Sequence, residues 1–258
     1  MSQNFMHHVV HREFPTIKLQ LIEHSRWARW WKRLVGGTVQ VAILGKHTLY
    51  IPEVLMQSRP DSPLLTEVLA HEYVHMWQRA NNRWFTLHRT WPYLLALVVV
   101  VGVALWSMSV WFTLFALLPL IPVYNPVVIR EEYEAYCASI LARVCVMNNE
   151  HPLPKNADAL FGLSDDGLRS IVNTMFSSTY LMQWAPRAVR EKYFQNLRVW
   201  HAGCKFNYFH ARFAFEKNNG YIHPSFPVDF GVDATPGFPY LRRPFTHILR
   251  YLVQFSKR

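Results

Sequence analysis

Residues 91–129 include no Asp, Glu, Lys, Arg or His for 39 consecutive positions, and no other feature limits the folding of this chain as strongly. The run is about twice the ~20 residues that span a bilayer as a helix. Its most polar point, Ser107-Met108-Ser109, lies near the middle, so it reads as a hydrophobic helical hairpin of two short transmembrane crossings. Arg79, Arg83 and Arg89 before the run and Arg130 after it place both ends on the cytosolic side by the positive-inside tendency. The expectation is an integral or tightly associated membrane protein with the lipid bilayer as a partner. The start of the chain, MSQNFMHHVVHREFP, lacks the apolar core of a signal peptide, so insertion would use this internal segment.

The remaining composition agrees with a membrane surface. The chain has 27 Lys plus Arg against 17 Asp plus Glu, a net charge of +10, together with ten Trp and 17 Phe. A basic surface also suits nucleic acid, but no base-stacking or groove-reading signature accompanies the charge, and no nucleic-acid partner is expected. Cys137, Cys145 and Cys204 are odd in number and form no CxxC pair. They point to a reducing environment rather than a disulfide framework or a thiolate zinc site.

Ahead of the apolar run, residues 1–24 show no pattern. From Ser25 the sequence SRWARWWKRLVGG puts Trp27, Trp30, Trp31 and Leu34 on one helical face and basic residues on the other, as an in-plane interfacial helix needs, with Ser25 as N-cap and Gly36-Gly37 as the stop. Two β-rich runs, residues 38–44 and 48–51, flank Gly45-Lys46-His47 and read as a β-hairpin with an exposed edge. Asp61 and Ser62 then offer a cap, Pro63 suits a first turn, and residues 64–80 have helical periodicity. Beyond the run, residues 130–148, 164–183 and 186–202 read as helices, and residue 246 to the C-terminus as a basic amphipathic one. Residues 218–244, rich in Gly, Pro and aromatics, read as an arm or partner-binding surface.

The chemistry sits on the helix before the run. His71-Glu72-Tyr73-Val74-His75 is an HExxH motif, in which residues four apart share a helical face and aim two imidazoles at one ion. Two His and one carboxylate bind Zn2+ with a fourth position open to water, and Glu72 is then placed to take the proton as that water attacks a peptide carbonyl. The third ligand has to come from elsewhere. Arg130-Glu131-Glu132-Tyr133-Glu134-Ala135-Tyr136 offers Glu131, Glu132 and Glu134.

With these motifs the chain resembles the HtpX-type zinc peptidases, gluzincins in which HExxH is followed by a membrane hairpin and then by a helix carrying Glu-x-x-Ala-Asp. The resemblance covers about residues 38–145 and implies His71, His75 and Glu132 as metal ligands and Glu72 as catalytic base, because Glu132-Tyr133-Glu134-Ala135 matches Glu-x-x-Ala. The small Ala135 would let the two helices approach. Tyr136 stands where that family has Asp, and its hydroxyl is expected to orient a ligand in place of the carboxylate. The two apolar segments that precede HExxH in the family are absent.

The resulting expectation is a mainly α fold with a small β-hairpin or sheet (α+β), a zincin-like core and the hairpin inserted between HExxH and the third-ligand helix. Residues 1–37 form the N-terminal segment, 38–217 the catalytic domain with hairpin 91–129 inserted, and 218–258 the arm and C-terminal helix. The expected activity is that of a zinc endopeptidase with its active site at the cytosolic face, acting on peptides or membrane-protein substrates. Tyr180 and His201 are candidate oxyanion donors, and His7, His8 and His11 place imidazoles four apart with no carboxylate to complete a site. The competing expectation is a non-catalytic assembly protein that keeps the zinc site and binds protein partners through residues 218–244.

Overall fold

The computed structural model describes residues 9–26, 28–29, 48–53, 55, 63–81, 98, 101–102, 126–177, 185–218 and 242–254. These residues are mainly helical, with one small two-stranded sheet. In chain order the elements that matter are β1 (Lys18–Leu21), β2 (Thr48–Ile51), α1 (Pro63–Asn81), α2 (Pro126–Asn149), α3 (Asp165–Met175), α4 (Arg187–Lys217) and α5 (Arg242–Gln254).

Helix α2 is the axis of the fold. Val128, Ile129, Tyr133, Ala135, Cys137, Ala138, Ile140, Leu141, Ala142, Val144 and Cys145 are all buried, so the helix is apolar around most of its circumference, as expected of one packed on several sides. Helices α1, α4 and α5 all pack on it. Ala135, Ala138 and Ala142 are fully buried in it. In α4, Phe194, Leu197, His201, Cys204, Tyr208, Ala211 and Phe215 are buried at alternating spacings of three and four. That regularity carries the helix to Lys217, well past the end expected at residue 202. In α5, Phe245, Ile248, Leu249, Leu252 and Val253 are fully buried, and each contributes about 1.5–3 kcal/mol of transfer free energy.

Polar groups fasten the ends of these helices. At the C-terminus of α2 the Asn149 amide donates to Leu252 O at 2.9 Å and its oxygen accepts from Tyr208 OH at 3.0 Å. Arg212 donates to Asn149 O at 3.3 Å, so a buried cation meets a carbonyl at the negative end of the helix dipole. Ser164 caps α3, its Oγ accepting from Gly167 N–H at 3.2 Å, and Leu168, Val172 and Met175 form the buried stripe. The expected helix over residues 164–183 thus ends at Met175, and residues 178–184 lie outside the described residues. Cys137, Cys145 and Cys204 are free and buried. Burial pushes all three thiols up, leaving them protonated core residues.

The sheet differs from the expected hairpin. Thr48–Ile51 pairs in parallel with Lys18–Leu21, in the register Lys18↔Thr48 to Leu21↔Ile51, within a stretch that carries no sequence pattern. Leu49 and Ile51 point into the core while Thr48 and Tyr50 are half-buried, the period of a strand with one covered face. Glu23, just after β1, accepts from Glu53 N–H just after β2 at 3.0 Å and holds the strand ends together. Residues 38–44, the other expected arm, lie outside the described residues. Ser25 does cap a helical turn, its Oγ accepting from Ala28 N–H at 3.2 Å, but residues 27 and 30–37 of the Trp-rich segment are outside the described residues, as are residues 219–241 of the arm.

The membrane expectation is overturned. Among the described residues no helix is long and apolar enough to cross a membrane. This corrects the transmembrane helix, and the integral membrane location with a cytosolic-facing site, that were read from residues 91–129. The last residues of that run form the first turn of α2, where Val128 and Ile129 are buried in the protein core; their apolar character serves helix packing. Apart from Val98, Val101 and Gly102, the earlier part of the run lies outside the described residues.

His201 is likewise a packing residue. Its Nε2 accepts from Leu163 N–H at 3.1 Å, which requires a neutral ring, and a Cβ at Gly162 would collide with that same nitrogen. Burial, and secondarily Lys205, holds its pKa below the ordinary value of 6.5. A lowered folded-state pKa means that the unfolded chain binds the proton more readily, so this contribution to stability is present above pH 6.5 and is lost as pH falls towards and through the folded value. Denaturant unfolding compared at pH 7.5 and 5.5 is expected to show a smaller acid-side loss in His201→Gln, which keeps an acceptor, than in wild type. Equal losses would rule the assignment out.

Candidate metal centre

Helices α1 and α2 run antiparallel, and their facing residues meet along one seam. Arg143 donates to Glu67 Oε1 at 2.8 Å. One turn along, Ser139 Oγ donates to Glu67 O at 3.2 Å and lies 3.5 Å from His71 Nδ1. Further along, His71 and His75 meet Glu132, and Gln78 meets Glu131 and Glu134. The step of four from Glu67 to His71 is matched by four from Arg143 to Ser139, and His75 and Gln78, further along α1, meet residues 131–134 nearer the start of α2, as expected where two helices keep one contact face.

At the centre of this face three ligand atoms converge. His71 Nε2 and His75 Nε2 are 3.1 Å apart, and Glu132 Oε2 is 3.4 Å from each. Metal–ligand bonds of about 2.0–2.1 Å at tetrahedral angles put neighbouring ligand atoms about 3.3–3.4 Å apart, so the triangle matches one face of such a site. The donor set fits zinc: two imidazole nitrogens and one carboxylate oxygen, buried or nearly so. Among the described residues no other group of three or more His, Cys, Asp or Glu side chains converges in this way. His7 and His8 of the N-terminal His cluster, and Tyr180, lie outside the described residues, and His201 sits on α4 against Leu163.

Of the three glutamates offered by the sequence, Glu132 is the one whose carboxylate reaches both imidazoles. Glu134, fully buried, faces away from the triangle. It accepts from Gln78 Nε2 at 2.8 Å and from Arg130 Nε at 3.1 Å. Glu131 offers its carbonyl to the same Gln78 amide at 3.0 Å. Glu72 is buried and adjoins His71 on α1, about 100° around the helix from it and about 60° from His75.

Tyr136 also contacts the site. Its ring packs edge-on against His71, centroids 4.8 Å apart at 77°, so it buttresses the imidazole by a face contact. The polar partners of the two histidines outside the triangle are Gln78, whose Oε1 is 2.8 Å from His75 Nδ1, and Ser139 at His71 Nδ1. Neither was singled out beforehand. The available signal was helical phase: Gln78 follows His75 by three, and Ser139 follows Glu132 by seven.

No family model, curated protein or solved structure matches the chain. The site's case therefore rests on its own geometry. Around it, burial raises the pKa of Glu67, opposed by the Arg143 guanidinium.

Proposed function

We propose that the chain is a zinc-dependent endopeptidase, with His71, His75 and Glu132 holding the metal on a zincin-like helix pair and Glu72 acting as general base. The observation that carries this reading is the triangle of two Nε2 atoms and one Oε2 at 3.1–3.4 Å, built around an HExxH motif that also supplies a buried glutamate beside it. The motif resemblance to HtpX-type peptidases points the same way. Intact Glu72 favours catalysis over a purely structural metal site, because zinc binding does not need it.

When bound, the metal would supply Lewis acidity to a water molecule and to the substrate carbonyl. Glu72 then accepts the proton released as the water adds to the carbonyl carbon, and passes it to the leaving amine as the C–N bond breaks. The low-dielectric wall of α1 and α2 strengthens each of these interactions. His71 and His75 keep their ring planes through the contacts of Ser139, Tyr136 and Gln78.

The test is metal analysis of the purified chain beside a hydrolysis assay on unfolded-protein substrates. One zinc per chain is expected, lost in His71→Ala, with cleavage abolished by a chelator and restored by zinc. Wild type purified without chelator yet free of metal would sink the metal reading. A zinc-loaded chain that cleaves nothing across a broad substrate panel would favour an assembly protein that retains the site.

A further inference from the structure

We propose that Gln78 is a positioning residue of the triad: held in one orientation by Glu134 and Arg130, it fixes His75 as the Nδ1–H tautomer and so presents the Nε2 lone pair to the metal. This rests on the metal-site reading above but is independent of hydrolysis.

A glutamine amide can face a neighbour with either end, and its environment decides which. Two acceptors, the Glu131 carbonyl at 3.0 Å and Glu134 Oε2 at 2.8 Å, surround one end of the Gln78 amide. That end must be the NH2 group. Glu134 is itself kept an acceptor by the Arg130 guanidinium at 3.1 Å, so a flipped amide would set oxygen against two oxygens in a buried place. The other end is therefore Oε1, which has no proton to give, and it lies 2.8 Å from His75 Nδ1. His75 Nδ1 must carry the hydrogen. In a neutral imidazole the second nitrogen is then bare, and that nitrogen is the Nε2 facing His71 and Glu132.

Ser139 Oγ, which donates to Glu67 O at 3.2 Å, lies 3.5 Å from His71 Nδ1 and can accept there from a protonated Nδ1. Partners of this kind, hydrogen-bonded to the far nitrogen of a ligating His, typically set metal affinity by about 10–100-fold. In this chain the His75 partner is an amide whose polarity is imposed from α2 by a carboxylate that does not reach the triangle.

Long-range 1H–15N spectra of the metal-free full-length chain at about pH 8, above the ordinary imidazole range, report the tautomer directly. His75 is expected to show a protonated Nδ1 and a bare Nε2; the reverse pattern would overturn the proposal without any variant being made. Zinc affinity by chelator competition is expected to fall about 10–100-fold in Gln78→Leu. The same spectra of Gln78→Leu should no longer show His75 held in the Nδ1–H form. A Leu variant with wild-type affinity and wild-type tautomer would reject the role. A wild type that shows the expected tautomer yet takes up no zinc would reject the metal reading and leave the hydrogen-bond relay standing.

Discussion

Glu72→Gln is expected to lower peptide hydrolysis by at least ~10² to 10⁴-fold, the usual cost of losing a general base, while zinc content and fold stay as in wild type. Gln is nearly isosteric with Glu and fits the same buried position on α1, so the helix pair should pack as before. The change removes one capacity, that of taking a proton. Because the same carboxylate would hand this proton on to the leaving amine, two steps fail together and the larger end of the range is expected. The measurement is kcat/KM on an unfolded-protein substrate with zinc quantified in both samples. Equal cleavage would mean a contaminating peptidase or another base, and the assignment of Glu72 would fall.

Glu132→Ala is expected to strip the metal. Its Oε2 is the one carboxylate oxygen at 3.4 Å from both imidazoles, and without it two nitrogens on one helix must hold the ion alone. The loss of affinity should exceed the about 10–100-fold typical of removing an outer partner. Glu131→Ala should retain zinc. Glu134→Ala, by releasing Gln78, should fall between the two and separate a ligand from a support. Zinc retention after dialysis against a graded series of chelators resolves the three; retention in Glu132→Ala with loss in Glu131→Ala would mean that a different carboxylate completes the site.

What sequence could reveal here followed the distance over which its signals act. The helix at Pro63–Asn81 was readable because Pro63, the caps and the period of 3.6 are local. His71 and His75 converge because a four-residue spacing dictates it. Glu132 was separable from its neighbours by motif resemblance, and the geometry singles it out because Glu134 turns towards Arg130. Gln78 and Ser139 carried no signal beyond helical phase, since the contacts that orient them, to Glu131 and Glu134 and to Glu67, lie across the helix pair and a glutamine or serine on a helix has no preferred role. The pairing of Lys18–Leu21 with Thr48–Ile51 joins strands of four residues far apart in the chain, too short for alternation to stand out. At the end of the apolar run the reading failed for a different reason: hydropathy cannot distinguish lipid from protein as the apolar surroundings, and Val128 and Ile129, in the first turn of α2, are covered by protein.

The antiparallel contacts between α1 and α2 make the pair behave as a rack with fixed teeth. Glu67 on Arg143, His71 beside Ser139, and Gln78 on Glu134 occupy successive notches along one seam. Sliding one helix past the other by a single turn, about 5.4 Å, would break every notch at once and carry Glu132 away from both imidazoles. A one-residue insertion between Glu132 and Ser139 would rotate the remainder of α2 by about 100° and separate the metal end of the seam from its Glu67 end. The ligand triangle is therefore indexed by contacts at both ends of the seam, and small errors in helix phase cannot be absorbed locally.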